Sequence, residues 1–331
     1  MIKTAITEMF GLKYPIICGS MMWLCKPGLC AAISNAGGMG NLTAGNYATE
    51  DEFRDAIKEV RALTDKPFMV GITLLPSVRI TPEHNMMYAR VCAEEEVSGI
   101  EVSGAPLDKV IGMQGIEMLK KSGVKMFHKL GSVRHAVHAQ KVGYDGVYAL
   151  GFEAGGHPLD DDVSTMVLTP RIADSVKIPV VTVGGISNGA GMAAALMLGA
   201  QGVMMASRFV TTKECEVHED IKQEFIKKQE YDTTIFGKSL GMQGRALKNE
   251  LIEEVVSVEK KGGGFEDIYP LISGDRIKDA WEKGKVENAP FMVGQCIGHI
   301  REVYSCPELL ETMTKDAEKA LISTKGLVRW N

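Results

Sequence analysis

The sequence predicts an α/β protein: a TIM-type (β/α)8 barrel with a mainly helical addition near the C-terminus. Three observations carry that expectation. Eight short apolar runs recur at roughly 20–35 residue intervals through the first two-thirds of the chain, the rhythm of a barrel. Helical patterns with their own start and stop signals lie between them. Glycine-rich segments and unusual polar residues stand where the runs end, and in a barrel those ends converge on the active-site face.

The eight predicted strands are 15–19, 39–43, 68–73, 99–103, 124–129, 145–150, 179–184 and 202–206. After the second, Thr49 and Glu52 have capping-box spacing, and Phe53, Ile57, Val60 and Leu63 follow at helical spacing. Ser132 is placed to cap a helix over 133–142 that Gly143 ends, and Asn188 to cap one over 190–198 that Gly199 ends. Gly143-Tyr144-Asp145-Gly146-Val147 and Gly199-Ala200-Gln201-Gly202-Val203 read as the same helix-to-strand turn used twice. Residues 208–300 break the rhythm with charged helical stretches and a loop-like Lys260-Lys261-Gly262-Gly263-Gly264 segment, and 307–322 has the pattern of a terminal amphipathic helix. The expected organisation is a barrel core over 1–207, an addition over the barrel mouth at 208–300, and a helix returning to the barrel within 301–331.

Composition limits the function classes. Among 331 residues there are 37 Lys and Arg against 42 Asp and Glu, a net charge of −5 that gives no reason to expect nucleic acid or an anionic membrane as partner. No apolar run approaches the ~18 residues of a spanning helix, and the N-terminus lacks the pattern of a secretory signal, so a cytoplasmic protein is expected. The seven cysteines are odd in number and show no CxxC pair, which disfavours a disulfide framework or a zinc site and favours buried reduced thiols.

Two regions point to chemistry. Ile178 to Ile186 is a buried strand running into Gly184-Gly185, and the next strand ends in Met204-Met205-Ala206-Ser207. Glycines let backbone N–H groups approach an anion, and loops after strands seven and eight form the usual phosphate site of this architecture. The plain alternative for a Gly-Gly pair is a tight turn. After strand six, Gly151-Phe152-Glu153-Ala154-Gly155-Gly156-His157 sets three glycines beside two polar side chains, and His157 is a candidate general acid or base. The alternative is a histidine that only holds its loop. Lys129, at the end of strand five, is placed to stabilise negative charge or simply to be solvated. His135 and His138 lie on a predicted helix with no evident carboxylate partner and read as an exposed face, as do His84, His218 and His299. Asp160 to Asp162 reads as a solvated acidic loop, and no metal site is expected. Gly37-Gly38-Met39-Gly40 precedes a strand instead of opening a helix, so a dinucleotide fingerprint is excluded.

Taken together, these residues resemble the nitronate monooxygenase family, the 2-nitropropane dioxygenase-like flavoproteins related to FMN-dependent enoyl-acyl-carrier-protein reductases. Tyr14 to Ile17, Ser34 to Gly40, Gly151 to His157, Ile178 to Ile186, Ala195 to Phe209, Asp232 to Thr234 and Arg245 to Asn249 carry the resemblance, the last two within the helical part. It implies non-covalent FMN. Met21 and Met22 would lie along the flavin, Thr73 at the ring, and Lys129 and Leu150 near the ring and ribityl chain. Gly155, Gly156, Gly184, Gly185, Met205, Ala206 and Ser207 would surround the phosphate, and His157 would take the place of the catalytic histidine. Thr73 stands where the family commonly has Asn, Leu150 where Gln is common, and Ala206-Ser207 where Gly-Thr is common. Pro158-Leu159 after the histidine departs from members with a glycine there, which loosens any inference about substrate.

The expected function is FMN-dependent oxidation of alkyl nitronates with dioxygen to a carbonyl compound and nitrite. The alternative is an NAD(P)H-dependent enoyl-thioester reductase, or a flavin or quinone reductase, with NAD(P)H as co-substrate. A barrel that binds a phosphorylated metabolite without redox chemistry is the reading from another class. The partner in each case is a small molecule. The sequence leaves the oligomeric state open, a homodimer included.

Overall fold

The protein is described here by a computed structural model covering residues 2–75, 79–159, 161–241, 243–272 and 274–324. Asp160 of the acidic loop therefore lies outside the described residues. Eight parallel strands form one sheet: β1 (Ile16–Cys18), β2 (Gly40–Thr43), β3 (Phe68–Leu74), β4 (Gly99–Gly104), β5 (Lys125–Leu130), β6 (Gly146–Leu150), β7 (Val180–Val183) and β8 (Gly202–Met205). Neighbours pair in chain order from β2 to β8, β8 pairs with β1, and a parallel bridge between Ile17 and Met39 closes the ring. Each predicted strand falls on an observed one, so the (β/α)8 barrel stands.

Alternation along the strands builds two cores. Ile17, Met69, Phe127, Tyr148, Val181 and Met204 point inward and fill the barrel with Met39. Val70, Ile72, Ile100, Val102 and Val147 point outward to the helices. The helix Ala5–Phe10 adds to the inner core, with Ile6 fully buried and the rings of Phe10 and Phe127 5.8 Å apart.

The punctuation signals act as expected. Thr49 and Glu52 form a reciprocal capping box on Glu50–Leu63, and Phe53, Ile57 and Val60 are buried. Leu63 is 49% exposed, against expectation. It is the last residue of the helix, at the edge of the buried stripe, about 80° around from Phe53. Ser132 and Asn188 accept from the N–H three residues on, capping Val133–Val142 and Gly189–Met197. Gly143 and Gly199 adopt nearly identical left-handed φ values of 94° and 95°. Tyr144 N–H returns to Ala139 O and Ala200 N–H to Ala195 O, both at 3.1 Å, so the repeated turn is one Schellman closure built twice.

The C-terminal part is helical, with Glu219–Phe225, Glu250–Lys260, Phe265–Ile272, Gly274–Lys283 and Cys306–Ser323. It also holds an antiparallel hairpin, β9 (Thr233–Phe236) with β10 (Gly244–Leu247), where only helix and loop were expected. Helix Cys306–Ser323 packs on Gly189–Met197, where a Cβ at Gly189 would stand 2.6 Å from Ala317 N. All seven cysteines are free and buried. Among the described residues no helix is long and apolar enough to cross a membrane.

Candidate active site

The C-terminal ends of the strands open into a cavity of about 330 Å³, within the usual range for a cofactor or ligand pocket. Met21, Met22, Thr73, Gly155, Gly156, His157, Ala206 and Ser207 line it, so eight of the thirteen residues singled out from sequence meet around one space. Ser20 and Thr43 join them, their hydroxyls 2.8 Å apart. The other five are not among its lining residues. Leu150 is buried in the inner barrel core. Met205 packs outward with Ile16 and Cys18, because its neighbour Met204 takes the inward position. Gly184 packs against Gly151 and Ala154, and Gly185 lies beside Glu153. Lys129 is 2.5 Å from Glu101 in an ion pair.

His157 is held from an unexpected direction. Its Nδ1 is 3.0 Å from the carbonyl of Gln243, just before β10. A carbonyl only accepts, so Nδ1–H donates, and in the neutral ring Nε2 keeps its lone pair. The side chain is exposed at the cavity it lines, and the protein atoms packed around it push its pKa below the ordinary value of 6.5 against the opposing pull of the Gln243 carbonyl. His128 is likewise lowered by burial, but its Nε2 contacts Gly104 O at 3.1 Å and its ring stacks on Tyr144. It is structural.

The same hairpin fixes the glycine loop. Gly156 N–H donates to Arg245 O (3.1 Å) and Arg245 N–H to Gly156 O (2.7 Å). The Arg245 guanidinium donates to Phe152 O (3.2 Å) and Thr233 Oγ1 (2.9 Å) and lies over the Phe152 ring. Glu153 takes the N–H and hydroxyl of Thr165 at the start of helix Thr165–Ala173, so it serves the loop's architecture. On the far side, Gln295 N–H donates to Glu153 O (2.9 Å) and Gly294 N–H to Ser207 Oγ (3.0 Å). A Cβ at Gly155 would meet the Val293 carbonyl carbon at 2.5 Å, so glycine is required by chain packing. Gly156, at φ +82°, has open space where a Cβ would go.

These turns suit an anion. No hydrogen bond among the described residues uses the backbone N–H of Gly155, Gly185 or Ser207, on the loops after β6, β7 and β8, and free N–H groups of this kind are what a phosphate takes up.

Beneath the cavity lies a polar layer that sequence reasoning missed. Glu101 is fully buried on β4 and gathers Lys129, Ser20 N–H (3.0 Å), the Asn41 amide and Ser103 Oγ (3.3 Å). Its signal was present: an acid between Ile100 and Val102 in an otherwise apolar run, at the inward phase. Away from the cavity, His138 does have a carboxylate partner, Asp108 at 3.3 Å from the short helix Leu107–Val110, which spacing along the sequence could not show.

A closed barrel whose strand ends, glycine turns and a histidine meet at one cavity has the layout of an enzyme active site. The comparisons with known proteins make it narrower: the chain matches nitronate monooxygenase over residues 3–316 and belongs to that family of flavin-dependent oxidoreductases. It is 29% identical over 356 residues, covering 97% of both chains, to (3aS,4S,5R,7aS)-5-hydroxy-7a-methyl-1-oxo-octahydro-1H-indene-4-carboxyl-CoA dehydrogenase of Rhodococcus jostii. It is 32% identical to a probable nitronate monooxygenase of Staphylococcus aureus, over 81% of this chain and 84% of that one. The solved structure of FabK from Thermotoga maritima superposes with a TM-score of 0.90 at 32% identity, covering 99% of this chain and 100% of the other.

Proposed function

We propose that the chain is an FMN-dependent oxidoreductase acting on a bulky apolar acyl thioester, with His157 serving as base or acid at the carbon beside the thioester carbonyl. The observation that carries this reading is the outer wall of the cavity. Leu75, Ile80, Tyr88, Ile277, Trp281 and Met292 make it apolar, and three of the six come from the C-terminal part. A short nitronate would leave most of that surface uncovered, whereas an alicyclic or long acyl group would bury it at about 25 cal/mol per Å².

FMN, when bound, supplies the acceptor or donor of a hydride. The N–H groups of Gly155, Gly185 and Ser207 would hold its phosphate, with Gly184 and Ala206 keeping their strand ends free of bulk. Met21, Met22 and Thr73 would border the ring. The lone pair of Nε2 on neutral His157 takes a proton from the substrate's α-carbon in the oxidative direction, and Gln243 O keeps that nitrogen turned to the cavity. In the reductive direction NAD(P)H is the co-substrate and the imidazolium returns the proton.

A nitronate monooxygenase is the second reading. The neutral imidazole favours it when the substrate is a neutral nitroalkane, whose α-proton asks for the same base. Anaerobic mixing of FMN-loaded protein with a series of saturated acyl-CoA thioesters, with propyl-2-nitronate, and with NADH or NADPH separates the cases. Flavin bleaching by thioesters, faster as the acyl group grows bulkier, is the expected result. Bleaching by the nitronate alone rejects the thioester reading, and an inert flavin with every donor rejects both.

A further inference from the structure

Glu101 is an acid where the fold gives no structural reason for one. Its register partners are uncharged: Gly71 on β3, where a Cβ would collide with Ser20, and Phe127 on β5. Burying a carboxylate costs several kcal/mol unless it is paired and hydrogen-bonded, and Glu101 meets both conditions, with one oxygen on Lys129 Nζ and Ser103 Oγ and the other on Ser20 N–H and the Asn41 amide. Two of the partners lead to the cavity. Ser20 lines it and begins the turn that carries Met21 and Met22, which line it as well. Ser103 is in register with Lys129 on one side and with Thr73, another lining residue, on the other. Lys129 itself is 15% exposed, so its ammonium is the outer, wetter end of the pair and the carboxylate the dry inner end.

We infer that Glu101 is a positioning residue for the flavin: it clamps the Ser20–Met22 turn from below and neutralises Lys129, and so sets the charge that the ring meets from the barrel side. The inference rests on the FMN reading above. A cation left alone there favours the form of the flavin with more negative charge, whereas a compensated one leaves the reduction equilibrium near its unassisted value. Glu101 touches neither the cavity nor a substrate, so its effect passes through Lys129 and the turn.

The test is the midpoint potential of the FMN-bound protein, measured for the parent chain, Glu101→Gln, Lys129→Met and the double variant. Glu101→Gln keeps the size and an accepting oxygen but removes the charge. It is expected to shift the reduction equilibrium at least tenfold toward reduced flavin, about 30 mV for a two-electron couple. Lys129→Met should shift it the other way, and the double variant should return toward the parent. An unchanged potential in Glu101→Gln with FMN bound overturns the inference and leaves Glu101 a structural residue only. Should Glu101→Gln fail to fold, an unchanged potential in Lys129→Met overturns it equally. Failure of the parent chain to bind FMN is a different result: it removes the cofactor reading itself.

Discussion

The lower and upper halves of the barrel interior come from the same eight strands, yet they are built from different chemistry. Below, Met39, Met69, Phe127, Tyr148, Val181 and Met204 form an apolar plug, with the Tyr148 hydroxyl donating to Met69 Sδ at 3.3 Å. Above, two to four residues further along β2 to β5, the inward positions become Asn41, Thr43, Thr73, Glu101, Ser103 and Lys129, while on β6 and β7 Leu150 and Val183 continue the apolar wall. The polar positions thus gather on one side of the barrel interior, with Glu101 in register with Phe127 where the two meet. Burial alone does not separate them, for Glu101 and Phe127 are both at 0% exposure.

Substitutions that act on one half and spare the other sharpen this contrast. The largest effect belongs to the rim. His157→Ala should lower turnover about 10²–10⁴-fold, the usual worth of a positioned acid or base, while FMN affinity and thermal stability stay near the parent's. Steady-state rates beside an FMN titration check it, and a parallel loss of affinity would show that His157 only holds its loop. Next, Phe127→Ala should cost about 3–5 kcal/mol of stability through the cavity it leaves, with the flavin spectrum and KM unchanged. A denaturant titration reads this, and a changed spectrum would mean that the two halves are coupled. Gly156→Ala is smaller. It forces a side chain into left-handed backbone, at about 1–2 kcal/mol, beside the proposed phosphate site, and should weaken FMN binding up to about tenfold. The mildest is pH. The protein packed around it lowers the His157 pKa below 6.5, so the base form already dominates at neutral pH. Proton abstraction should therefore hold its rate from pH 8 to 7 and fall as the pH drops through the lowered pKa. A rate that falls between pH 8 and 7 would contradict the neutral imidazole.

The barrel was legible because its signals are local. Strands such as Val180–Val183 are continuous apolar runs, and caps such as Ser132 and Asn188 sit within three residues of the N–H they bind. Gly155 to His157 was legible for the same reason, as a run of unusual composition at a strand end. The hairpin was not. Thr233–Phe236 and Gly244–Leu247 have four residues each, too few for a period, and the seven residues between them carry no two-residue turn signal. With it went the backbone pairing of Arg245 with Gly156 and the Gln243 carbonyl that meets His157, main-chain contacts that no side-chain pattern records. Glu101 was passed over because its partners lie 28 to 81 positions away, on Lys129, Asn41 and Ser20, and only closure of the sheet brings them together.

Where the cofactor lies decides the function of these turns most directly. A crystal structure of the protein soaked with FMN is predicted to show the phosphate within hydrogen-bond distance of the N–H groups of Gly155, Gly185 and Ser207, with the ring between Nε2 of His157 and the Ser20–Thr73 floor. A phosphate bound elsewhere, or a ring that leaves His157 facing only protein, would contradict it.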